Sequence, residues 1–64
     1  MRMMIDQYED LLKRAAALDE DMTKLFHLTQ ERAIRKVSGR ALEDIGDVVG
    51  NLGWTVKVLK GNND

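Results

Sequence analysis

The stretch KLFHLTQERAIRKVSGR, residues 24–40, decides how the chain folds. Apolar Leu25, Phe26 and Leu28 give way to Thr29-Gln30, and a segment carrying Arg32, Arg35, Lys36 and Arg40 follows. The stretch divides into two half-elements. KLFHL closes a supporting helix and makes a turn. TQERAIRKVSGR is then a capped, basic helix, with the Thr29 hydroxyl accepting from an unsatisfied backbone N–H at its start.

Charge is distributed in a way that fits this division. The net charge is −1. Residues 1–21 carry three basic and six acidic side chains, residues 29–40 four basic and one acidic, and residues 41–64 two basic and four acidic. The molecule is dipolar, with positive charge focused in one segment between acidic ones.

The chain of 64 residues is one domain, 1–64, close to the lower size limit for a core without staples. It has no cysteine and one histidine, His27, so neither a disulfide framework nor a zinc site can be assembled, and no metal or cofactor is expected. No apolar run approaches a membrane span, and MRMMIDQYED lacks the long uncharged core of a signal peptide. A soluble, cytoplasmic protein with no membrane partner is expected. No carboxylate pair with a histidine, glycine-rich phosphate loop or nucleophile with a base is present, so an enzyme is not expected.

Periodicity predicts a mostly α fold of four short helices and one C-terminal β-strand. The first helix spans about 5–18, with Ile5, Tyr8, Leu12 and Ala15 three and four residues apart and Leu11 and Leu18 alongside. Residues 19–26 form a second helix, capped by Asp19 or Glu20 and interrupted at His27-Leu28. The third follows Thr29 and stops at Ser38-Gly39, where Gly39 takes a left-handed conformation. A fourth, ALEDIGDVVGNL, places Leu42, Ile45, Val48 or Val49, and Leu52 on one stripe and ends at Gly53. WTVKVLK then alternates strictly and predicts a strand at about 54–60, followed by a polar tail. With no other strand to pair with, this one is expected to pair with its copy across a homodimer through Trp54, Val56 and Val58.

The segment KLFHLTQERAIRKVSGRALEDIGDVVGNLGWTVKV resembles the Cro/repressor, or Xre-type, helix-turn-helix family, in its small phage-regulator or antitoxin-like branch. The matching residues are Phe26 and Leu28, Thr29-Gln30, Ser38-Gly39, Leu42, Ile45, Val48, Leu52-Gly53 and WTVKV. The resemblance covers about residues 18–59, with the helix-turn-helix at about 19–38. It implies a third helix that enters the major groove of double-stranded DNA. Gln30, Glu31 and Arg32 would then read base edges with Arg35 close behind, while Thr29, Arg40 and Lys36 contact phosphates. The implied function is a transcriptional regulator, a repressor binding a palindromic operator as a dimer. The alternative is an antitoxin or inhibitor that acts mainly by binding a toxin or another protein partner.

Overall fold

A repeat of mostly apolar residues at intervals of three and four, one in each half of the chain, builds two long helices. The computed structural model describes residues 2–61. Helix α1 is Arg2–Leu28 and helix α2 is Arg32–Gly61, 27 and 30 residues long, joined by the linker 29–31. There is no strand among the described residues. The expectation of four short helices and a C-terminal strand is therefore corrected to a two-helix hairpin. The tail at 62–64 lies outside the described residues.

The break expected after His27-Leu28 is present, since α1 ends at Leu28, and the other expected boundaries fail for local reasons. Asp19 starts no helix; it continues α1, and the Thr23 hydroxyl donates to its carbonyl at 2.8 Å. The neighbouring acid Glu20 pairs with Lys24 at 3.7 Å, one turn on. Thr29 does not cap α2 but closes α1. Its N–H donates to the carbonyls of Leu25 and Phe26, and its hydroxyl donates to that of Leu25 at 2.9 Å. The carbonyl of Glu31 accepts the first bond of α2, from the N–H of Arg35 at 2.9 Å, so Glu31 is the residue at the cap position.

Ser38-Gly39 ends nothing either. The Ser38 hydroxyl bonds back to the Ile34 carbonyl at 2.6 Å, and no described glycine has a positive φ. Glycine weakens a helix but does not oblige it to stop, and the chain contains no proline to force an end. The WTVKVLK segment is the last part of α2. Its period-two alternation is overridden by the helical series Leu52, Val56, Leu59, which packs on α1.

The seam between the helices follows alternating intervals of three and four. On α1 it comprises Ile5, Tyr8, Leu12, Ala15, Asp19, Met22 and Phe26; on α2 it comprises Ser38, Leu42, Ile45, Val49, Leu52, Val56 and Leu59. These are the a and d positions of a seven-residue repeat, and all of them are buried or half-buried. Two pairings fix the antiparallel register. At the open end Lys60 Nζ lies 2.7 Å from Glu9 Oε2, and at the linker end the Phe26 ring lies against Gly39. The result is a rod 49 × 14 × 12 Å. With no third element to cover it, only Ile5 (9% exposed) and Val56 (7%) are buried apolar residues among those described.

Gly39 offers a direct check. A methyl group there would meet Phe26 Cε1 at 3.6 Å, an ordinary contact, in a helical backbone. Gly39→Ala is expected to raise stability by about 0.5–1 kcal/mol in urea melts followed by circular dichroism. A loss of similar size would mean that Gly39 ends a helix in the left-handed conformation.

Candidate interaction surface

The residues expected to touch DNA gather at the linker end of the rod, but not in a recognition-helix arrangement. Thr29, Gln30 and Glu31 lie in or beside the linker, ahead of α2. Arg32, Arg35, Lys36 and Arg40 occupy the first turns of α2, all exposed. In a helix-turn-helix the second helix crosses the first steeply and is held out into the groove. Here α2 folds back along α1, so the architecture implied by the resemblance is absent among the described residues.

Arg35 is committed to the turn. Its guanidinium carbon sits 4.5 Å from the centroid of the Phe26 ring, and Nη1 donates to the Thr29 carbonyl at 3.0 Å. One side chain thus ties α2 to both the last turn of α1 and the linker. The edge of the His27 ring faces Phe26, with centroids 6.0 Å apart. Arg32, Lys36 and Arg40, four residues apart, form an exposed cationic row beside this brace. Each step of four turns the row about 40° around the helix.

The expected dimer strip does not form. Successive residues on a helix are about 100° apart, so Trp54, Val56 and Val58 cannot share a face. Val56 is in the core, whereas Trp54 is 64% exposed with Lys57 Nζ 5.6 Å from its ring centroid. Val58, one turn on from Trp54, is also exposed and lies on the side of α2 away from Val56.

A different surface emerges one position before each a residue. On α1 it carries Met4, Leu11, Leu18 and Leu25, spaced by seven, all large, apolar and exposed; Leu18 is 51% exposed and Leu25 64%. On α2 the same position carries Ile34, Ala41, Val48 and, near the open end, the polar Thr55, flanked by Val37 and Val58. In an antiparallel pair these g positions of both helices lie on one side of the seam, and the e positions lie on the other. The Glu9–Lys60 ion pair and Gly39, Gly46 and Gly53 occupy the e side. One broad face of the hairpin is therefore lined by large aliphatic side chains, and the opposite face is small or polar. Arg14, Asp21 and Asp44 border the aliphatic face.

Leu11 and Leu18 fall beside the apolar stripe of the helix expected at about 5–18. The seven-residue spacing through Leu25 was the available signal, and it emerges only when α1 is read without a break at Asp19.

Chemistry beyond packing is sparse. Among the described residues no group of histidines and acids could hold a metal ion, and no buried side-chain polar atom lacks a hydrogen bond. Shallow depressions follow the outside of single helices, one along Lys36, Val37, Arg40, Ala41 and Asp44, another along Asp6, Gln7, Asp10, Leu11 and Arg14. No described helix is long and apolar enough to cross a membrane. The chain matches no protein-family model, no curated protein and no solved structure.

The brace at the turn can be tested by itself. Arg35→Ala is expected to cost about 1 kcal/mol of stability, from an exposed cation–π contact and one hydrogen bond, with Arg32→Ala close to neutral in the same urea titration. Equal effects of the two would show that Arg35 is merely a solvated charge.

Proposed function

We propose that the chain is a non-catalytic protein-interaction module that works by packing its aliphatic face against α-helices of a protein partner. The observation that carries this reading is the repeat itself. Helices that meet only one neighbour need apolar residues at a and d, whereas helices inside a bundle carry a third apolar position at e or g. α1 has the third position along its whole length, at Met4, Leu11, Leu18 and Leu25, and α2 has it at Ile34 and Val48, all exposed in the hairpin. The exposed aliphatic row on α1 spans about 30 Å at 1.5 Å per residue, well beyond a scattered surface leucine.

A second reading, a regulator that binds double-stranded DNA, has the cationic row Arg32, Lys36 and Arg40 in its favour. It lacks a helix presented to a groove, and Arg35 is engaged at the turn. A module of this kind in the role of an antitoxin or inhibitor would fall under the first reading, with the toxin or other target as the helical partner.

Two variants separate the readings. Leu18→Glu places a charge in the aliphatic face at a half-exposed position and should leave the helical circular dichroism intact. Arg32→Ala/Lys36→Ala/Arg40→Ala removes the cationic row. Under the first reading association persists as salt is raised and is lost in Leu18→Glu but not in the triple variant. A duplex-DNA mobility shift that weakens steeply with salt and vanishes in the triple variant, from a chain that stays monomeric, would overturn it.

A further inference from the structure

Building on the module reading, we infer that the occupant of the aliphatic face is a second copy of the chain, giving a two-fold, four-helix bundle with the two linkers at opposite ends. Three observations point to this occupant.

The first is shape. The aliphatic residues run along both helices, from Met4 to Leu25 on α1 and from Ile34 to Val48 on α2 with Val58 at its flank, so the face is two helices wide. A single docked helix covers the groove of such a face and leaves its flanks wet. An identical two-helix face covers it like for like, which is what an isologous two-fold contact does.

The second is size. A face about 30 Å long and about 20 Å across presents on the order of 600 Å² per copy. Two such faces together reach the roughly 1,200 Å² at which specific interfaces begin. The hairpin buries no described apolar side chain completely, Ile5 and Val56 being the most enclosed, and a core this small is commonly completed by oligomerising.

The third is charge, and it sets the direction. The linker end carries Arg32, Arg35, Lys36 and Arg40 against Glu31, with Lys24 paired to Glu20. Stacking two copies linker to linker would oppose these clusters. Reversing one copy separates the two clusters by the length of the rod. In that arrangement α1 lies antiparallel to α1 of the second copy, and Leu11 of one copy meets Leu18 of the other near the two-fold axis.

The test combines mass and distance. The chain has no cysteine, so Gln30→Cys in the linker accepts a single nitroxide. Sedimentation equilibrium at micromolar concentrations should give twice the 7.3 kDa chain mass. Pulsed dipolar spectroscopy should give a linker-to-linker distance of at least about 40 Å, the length of a 27-residue helix. Leu18→Glu should return the chain to a monomer that remains helical.

A wild-type monomer at every concentration overturns the second copy. So does a dimer with nitroxides within about 25 Å, two helix diameters, or a dimer that Leu18→Glu leaves whole. A monomer that ignores DNA removes only the second copy, whereas a monomer with salt-sensitive DNA binding removes both.

Discussion

The seam between α1 and α2 holds everything else in place, and it is only two helices wide. A helix gains little from its own hydrogen bonds in water; most of its stability comes from the apolar face that it buries. Here each helix buries the a and d positions of one repeat against the other, from Ile5 to Phe26 and from Ser38 to Leu59. The linker is short because the turn is closed by contacts on both sides, with Thr29 completing α1 and Arg35 reaching back to Phe26 and the Thr29 carbonyl. A two-helix structure has no inside in the ordinary sense. Most seam residues stay half-exposed, and the same geometry leaves the g positions open to a further layer.

The helical character of the chain was legible in its residues, and the length of its helices was not. Ile5, Tyr8, Leu12 and Ala15, and later Leu42, Ile45 and Leu52, announce the seam directly. The missing proline points the same way. What misled was punctuation. Asp19, Thr29, Ser38-Gly39 and Gly53 are residues that often end or begin helices because their side chains, or lack of one, stabilise the backbone outside the helix. In this chain the threonines and Ser38 turn their hydroxyls back onto carbonyls of the preceding turn, and the glycines keep helical backbone. Seam packing outweighs a cost of about 1 kcal/mol per glycine.

The same balance explains the lost strand. Trp54, Val56 and Val58 alternate, but a strand there would leave its backbone groups without partners, while a helix satisfies them internally. Leu52, Val56 and Leu59 then extend the seam toward the open end. The surface features divide differently. The cationic segment was visible as a charge cluster, and its position at the hairpin tip depended on knowing that two long helices meet there. The aliphatic face depended on the same knowledge, since seven-residue spacing carries no signal across an assumed break.

Asp19 gives the seam a property that its apolar members cannot. It sits at an a position, half-buried, in a row otherwise made of Ile5, Leu12 and Phe26. Aliphatic layers are nearly interchangeable, so a purely apolar pair of helices can slide by one repeat and lose little. A carboxylate breaks that equivalence, because a slide carries it past hydrophobic layers that offer no replacement for its solvation. The seam therefore gives up some stability at one layer and gains a single alignment. That alignment keeps the g positions of the two helices abreast along the rod, so a flat aliphatic face exists at all.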